Sequence, residues 1–138
     1  MSSFEIKELR WFNFWRIAGW FWVIFICYLS LTPKPPLPDM GFEYQDKVGH
    51  LFAYAWLMGW FGNLYHCRHA RIVFAVIFVL MGVGLEFLQG MGQDRLFEYA
   101  DMLANTAGVM LGYLLTLGPV RLLLHKTEQL LKSESGDD

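Results

Sequence analysis

Residues 72–91 read IVFAVIFVLMGVGLEFLQGM, and this stretch decides the fold class. Its side chains are almost entirely apolar, and Glu86 is the only charged residue between Arg71 and Asp94. A helix needs about 20 residues to cross the hydrocarbon core of a bilayer. The stretch is long enough and apolar enough to do so, which predicts a membrane-spanning helix.

Three further apolar segments flank this one, at Ile17 to Leu31, Val48 to Tyr65 and Tyr99 to Leu124. The first is short for a span unless residues 11–16 extend it. It has no A-x-A site after it and is followed by further apolar runs, so it is interpreted as an uncleaved span and not as a signal peptide. A soluble bundle would need polar outer stripes, which the first and third segments lack. The sequence therefore predicts an all-α membrane protein with four transmembrane helices.

The composition supports a membrane protein. Of the 138 residues, 55% are hydrophobic and 17% are charged, whereas a soluble domain carries about 25% charged residues. The net charge of −2 provides no basic field for nucleic acid. Cys27 and Cys67 lie far apart and form no CxxC motif, so no disulfide framework is expected. These features argue against a soluble enzyme, a disordered chain and a nucleic-acid binder.

The distribution of Lys and Arg predicts the orientation of the chain. Eight of the 11 basic residues fall in the N-terminal arm, the second loop and the C-terminal arm, namely Lys7, Arg10, Arg16, Arg68, Arg71, Arg121, Lys126 and Lys132. By the positive-inside rule these segments are cytoplasmic, which puts both termini in the cytoplasm. The predicted organisation is an N-terminal arm at 1–16, a four-helix transmembrane domain at 17–124, and a disordered cytoplasmic tail at 125–138.

Segments two to four each carry polar or small residues on one face, at the end predicted to face outward. The spacings are i, i+4, i+7 or i+8, which place residues on one side of a helix. The three stripes are Asp46, His50 and Tyr54; Gly82, Glu86 and Gln89; and Asp101, Asn105, Gly108 and Gly112. A charged side chain inside a bilayer costs about 2.5–3.5 kcal/mol. We therefore expect the stripes to face one another in an outward-facing polar pocket, with Glu86 protonated or paired with Lys47, Arg95 or His50.

In order along the chain, several motifs resemble the VanZ-like family of small bacterial membrane proteins, over Ser30 to about Gly112. They are Ser30 and Pro33 in LSLTP, DKVGHLFAYAWL at 46–57, EFLQ at 86–89, and RLFEYADMLANTAG at 95–108. The resemblance implies a multi-pass protein of the bacterial cytoplasmic membrane. The family's namesake is associated with teicoplanin resistance, which implies a role at the cell envelope.

Two functions are open for the predicted pocket, and whether the protein is an enzyme is undecided. As an enzyme it would act on an envelope lipid or lipid-linked precursor, with His50, Glu86 and Asp101 as candidate catalytic residues. Lys47 and Arg95 would hold an anionic headgroup. The full set of candidate binding residues is Asp46, Lys47, Tyr54, Gln89, Arg95 and Asn105.

As a binding protein, the chain would capture a lipid headgroup or a lipophilic glycopeptide antibiotic with no chemistry of its own. Alternatively the chain is a membrane scaffold or interaction protein, and the polar residues are structural ion pairs that fix helix packing. No cofactor and no metal are expected, because HExxH and paired histidines are absent. His50, Glu86 and Asp101 are nevertheless residue types that ligate zinc or magnesium.

Gly108 and Gly112 form a GxxxG motif, which lets membrane helices approach closely. Within one chain it predicts tight packing of the fourth helix on the second or third. A homodimer through the same two glycines is the alternative.

Overall fold

The computed structural model describes residues 9–33, 41, 43–92, 97–118 and 120–134. Five helices follow one another: α1 (Phe12–Leu31), α2 (Gln45–Leu64), α3 (Arg68–Gly90), α4 (Tyr99–Leu117) and α5 (Leu123–Glu134). No strand occurs among the described residues. The predicted all-α class is confirmed.

Four transmembrane helices are predicted, and one of the four departs from the predicted composition. Within the described chain, three helices are long and apolar enough to cross a membrane: α1, α3 and α4. The remaining predicted span is α2, which carries Asp46, Lys47, His50 and Asn63 and does not meet that criterion. Its neighbours explain the difference, because α2 packs against each of the other four helices and most extensively against α4. A helix that packs mainly against other helices has less contact with lipid, so it can carry more polar residues.

Two predicted boundaries also move. The first span begins at Phe12, with Trp11 as its N-cap, so residues 12–16 extend the predicted segment. The fourth segment was predicted to run to Leu124 but ends at Leu117, with Gly118 as its C-cap. Glycine is a poor helix former and Pro119 follows it in the sequence, so the helix has little reason to continue.

Glycines bring α4 against α2. A Cβ added at Gly108 would lie 2.3 Å from the Leu51 carbonyl oxygen, and one at Gly112 would lie 2.5 Å from that of Ala55. Only residues without a Cβ allow the two backbones to approach this closely. The predicted packing of the fourth helix on the second is confirmed, and in this structure the surface of the glycine pair is occupied by the same chain.

The core lies along α2. Leu57, Met58 and Phe61 are almost completely buried and pack with Phe78 of α3 and Val109 of α4. Large apolar side chains instead cover the outer surface of the three apolar helices. Examples are Ile17, Phe21, Ile24, Val76, Leu80, Leu103, Met110 and Leu114. Such an apolar exterior suits lipid and not water.

The fifth helix replaces much of the predicted disordered tail, because residues 123–134 are helical and residues 135–138 lie outside the described chain. Leu124 is buried with Leu9 and Leu64. The Glu128 carboxylate accepts hydrogen bonds from the backbone N–H groups of Arg10 (2.9 Å) and Trp11 (3.0 Å). It thereby satisfies amides at the beginning of α1 that would otherwise lack partners.

Candidate functional site

The polar stripes come together at the end of the bundle where α2 and α4 begin and α3 ends. We call this the polar cluster: Asp46, Lys47, His50, Tyr54, Glu86, Glu98, Asp101 and Asn105. Local sequence explains part of it, since Asp46 and Asp101 occupy the first turns of α2 and α4. The positive ends of the two helix dipoles stabilise carboxylates there.

Lys47 joins α2 to α4 at the rim of the cluster. Its Nζ donates to Glu98 Oε2 at 2.7 Å and lies 3.3 Å from Asp101 Oδ1. Both carboxylates already neutralise the ammonium group. The predicted role of Lys47 as a free anchor for a phosphate is therefore at odds with its surroundings.

His50 lies between two carboxylates. Its Nε2 atom is 3.9 Å from Asp46 Oδ2 and 3.7 Å from Asp101 Oδ2. Both distances exceed that of a hydrogen bond. The Asp101 side chain is 8% exposed, whereas the Asp46 side chain is 56% exposed and lies at the surface of the protein.

Glu86 is buried among the helices, as the sequence predicted, but its partner is a backbone group. Its Oε1 accepts a 2.7 Å hydrogen bond from the N–H of Glu98, the N-cap residue of α4. Glu86 thus fixes the beginning of α4 against the end of α3. Its second oxygen, Oε2, is buried and has no hydrogen-bond partner among the described residues.

One helical turn inward from the rim, three side chains form an inner layer: Tyr54, Glu86 and Asn105. They are 1%, 1% and 3% exposed, and each has a polar oxygen that no described residue hydrogen-bonds. The Tyr54 ring and the Asn105 amide converge on Gly82, where an added Cβ would lie 3.3 Å from Tyr54 Cε1 and 3.1 Å from Asn105 Nδ2. Unsatisfied buried polar atoms are rare in folded proteins and call for an explanation.

One predicted binding residue, Gln89, is not brought into the cluster. Gln89 donates from Nε2 to the Ser30 carbonyl at 2.5 Å, so it ties the end of α3 to the end of α1. Arg95 lies outside the described residues.

The sequence interpretation missed Glu98, which contacts both Lys47 and Glu86. A usable signal was present, because Glu98 and Asp101 are three residues apart at a helix beginning, and this spacing puts them on one face.

A second polar group lies at the opposite end of the bundle, in the basic second loop. Arg71 is buried there, and its Nε donates to the carbonyl oxygens of Gly62 (3.1 Å) and Tyr65 (3.3 Å) at the end of α2. The His66 ring stacks on His125 of α5, with their Nε2 atoms 3.3 Å apart. Burial, reinforced by the charges of His125, Arg71 and Arg121, lowers the pKa of His66 to about 4.

Together these features define an all-helical membrane protein with a polar, acidic cluster at one end of its bundle. The chain belongs to the VanZ/LLP1 family, whose model matches residues 2–124. The resemblance inferred from the motifs is thereby confirmed.

The chain is also similar to an uncharacterized protein of Schizosaccharomyces pombe, C11E3.10. The two are 32% identical over 98 residues, which cover 69% of this chain and 57% of the yeast protein. The chain thus spans a little over half the length of that relative. No solved structure matches the chain significantly.

Proposed function

We propose that this protein crosses the membrane and binds the polar head of an envelope lipid or lipid-linked precursor at the polar cluster. The inner layer supports this proposal, because Tyr54, Glu86 and Asn105 have buried oxygens without hydrogen-bond partners in the described chain. An orphaned buried polar atom costs about 1–3 kcal/mol. A ligand that donates hydrogen bonds to these atoms removes that cost.

The proposed topology has four crossings in a bacterial cytoplasmic membrane, with α2 as the sheathed fourth crossing and both termini in the cytoplasm. In support, the described basic residues outside the cluster gather at the opposite end, at Arg10, Arg16, Arg68, Arg71, Arg121, Lys126 and Lys132. The polar cluster then faces the periplasm or the exterior.

The chemistry of the cluster narrows the headgroup. The orphaned atoms of Glu86 and Asn105 are acceptor oxygens, and Lys47 is already paired with Glu98 and Asp101. The site therefore favours a headgroup rich in hydroxyl or amine donors over a bare phosphate monoester. Hydroxyl and amine groups are also abundant on a glycopeptide such as teicoplanin, which makes it a second ligand to test.

Catalysis at the same site is the second candidate, and it is supported by the position of His50 between Asp46 and Asp101. An imidazole beside carboxylates is a residue set that general acid–base catalysis uses. The enzyme and the binder differ in whether the bound lipid changes mass.

Native mass spectrometry of the full chain in mild detergent tests both candidates. Phosphatidylethanolamine, phosphatidylglycerol, phosphatidic acid and teicoplanin are each added in the presence of EDTA. We expect retention of the first two over phosphatidic acid, and loss of retention in Asn105→Ala and Tyr54→Phe. A product that disappears in His50→Ala indicates an enzyme.

The matched control is Thr106→Ala. Thr106 is the neighbour of Asn105 on α4, and its hydroxyl donates to the Met102 carbonyl of the same helix. Equal retention of all lipids by wild type and the Asn105→Ala variant contradicts the proposal. It then favours a scaffold in which the Lys47 ion pairs are structural.

A further inference from the structure

Three potential ligand atoms of the rim lie at distances suited to a metal ion. One oxygen each from Asp46 and Asp101 and one ring nitrogen from His50 all lie within 4.8 Å of one another. Metal–ligand bonds are about 2.0–2.3 Å long, so two ligands of one ion lie roughly 3–4.5 Å apart. The 3.7 and 3.9 Å separations in the rim fall in that range, and they are too long for hydrogen bonds.

Asp101 offers a buried carboxylate to this group. Lys47 pairs with Glu98 and with Asp101. Lys47 approaches Asp101 through Oδ1, whereas His50 approaches it through Oδ2. One Asp101 oxygen therefore remains on the side shared with His50 and Asp46, and Asp101 is 5% exposed.

The inner layer, which also supports the proposed lipid site, adjoins these three ligands. Asn105 lies one turn from Asp101 on the same face of α4, and Glu86 touches the amide that begins this helix. Both side chains are more than nine-tenths buried, and each has an acceptor oxygen with no donor in the described part of the chain. A hydrated cation beside Asp101 supplies donors through its bound water, which a second carboxylate or a phosphate does not.

We propose that Asp46, His50 and Asp101 bind one divalent metal ion at the outer end of α2 and α4. Two carboxylate oxygens neutralise its charge, and the imidazole nitrogen favours a transition ion such as Mn²⁺ or Zn²⁺ over Ca²⁺. This metal site rests on the proposed function in one respect, the identity of the lipid group that it contacts. The ion would hold the phosphodiester of a headgroup whose hydroxyl or amine reaches the inner layer.

The test is titration of the EDTA-stripped, full-length protein in neutral detergent with Mn²⁺, with free Mn²⁺ measured by its EPR signal. We expect one Mn²⁺ per chain, displaced by Zn²⁺ but not by equimolar Ca²⁺. The substitutions His50→Gln and Asp101→Asn should each weaken binding by about 10-fold or more. Asp46→Asn alters an exposed side chain and should weaken binding without perturbing the fold.

Glu43→Gln is the matched control, because Glu43 is an exposed carboxylate one turn before Asp46. It should bind Mn²⁺ as the wild type does. Absence of stoichiometric binding, or wild-type affinity in both Asp46→Asn and His50→Gln, overturns the proposal. The Mn²⁺ titration contains no lipid, and the lipid assay contains EDTA. A failure of the metal site is therefore distinguishable from a failure of the lipid site.

Discussion

Single glycines set the distance between α2 and α4, and they differ sharply in what surrounds them. Gly108 faces the α2 backbone at Leu51 and Ala55, whereas Gly84 on α3 has nothing within 4 Å of an added Cβ. Gly108→Ala should therefore destabilise the protein by about 1–3 kcal/mol, because backbone cannot yield as a side chain can. Gly84→Ala should be neutral or stabilising by up to about 1 kcal/mol. Thermal unfolding of both variants in one detergent measures the difference; equal melting temperatures contradict the close packing.

Lys47 stabilises one carboxylate more than the other. Glu98 is half-exposed, whereas the Asp101 side chain is 8% exposed. Lys47→Met leaves a buried carboxylate without its cation, so we expect a loss of a few kcal/mol, on the order found for broken buried pairs. Glu98→Gln should cost less than about 1 kcal/mol, as is usual for exposed pairs. If Glu98→Gln is the more damaging substitution in thermal unfolding, Asp101 does not depend on Lys47.

His66 should make stability depend on pH. The unfolded chain takes up a proton near pH 6.5, whereas burial lowers the pKa of folded His66 to about 4. Between these two values the unfolded chain binds this proton and the folded chain does not. The free energy of unfolding is therefore highest above pH 6.5 and decreases as the pH falls toward 4. The melting temperature should fall over this interval, and less steeply in His66→Phe. His69→Asn, at an exposed position of the same segment, should follow the wild type; an unchanged slope in His66→Phe contradicts the assignment.

Among the elements, the apolar runs predicted four of the five described helices, and three of them, α1, α3 and α4, are apolar enough to cross a membrane. The α2 helix lies where an apolar run predicted it, but it is less apolar because it packs against the other helices. The sequence did not predict α5, which folds because Glu128 and Leu124 find partners at the beginning of α1 and the end of α2. Periodicity shows which face is polar, but only tertiary structure shows what that face meets.

The sequence likewise predicted only part of the polar cluster. Helical spacing grouped Asp46, His50 and Asp101 correctly by face and end. It did not reveal that Gln89 bonds the Ser30 carbonyl or that Lys47 is already neutralised. Those two facts depend on contacts between residues more than 50 positions apart, which no local pattern contains.

Docking of α5 should depend on Glu128. Its carboxylate accepts from two backbone amides and from Trp15 Nε1 at 2.7 Å. Glu128→Ala should cost about 0.5–2 kcal/mol, the range found when a helix N-terminus loses a capping side chain, and should expose α5 to limited proteolysis. Gln129→Ala, at the exposed neighbouring position, should not. Equal protection of α5 in the two variants argues against this anchor.

For the whole molecule, the proposed topology requires the two ends of the helix bundle to face opposite compartments. Backbone N–H groups of Ala70 and His69 lower the pKa of the exposed Cys67 thiol, which makes it a reactive probe of the end opposite the cluster. In a Cys27→Ser background, Cys67 should react with a membrane-impermeant maleimide only in inverted vesicles. With Cys67 also changed to Ser, Glu43→Cys should react only in right-side-out vesicles. Labelling of both sites from one side contradicts the topology.

A ligand at the inner layer of the polar cluster should be visible in an experimental density map of the protein extracted with its native lipids. We expect density that belongs to no residue of the chain, within hydrogen-bond distance of Glu86 Oε2 and Asn105 Oδ1. If side chains of the bundle instead satisfy those atoms and leave no space between α2, α3 and α4, the cluster is structural and receives no ligand.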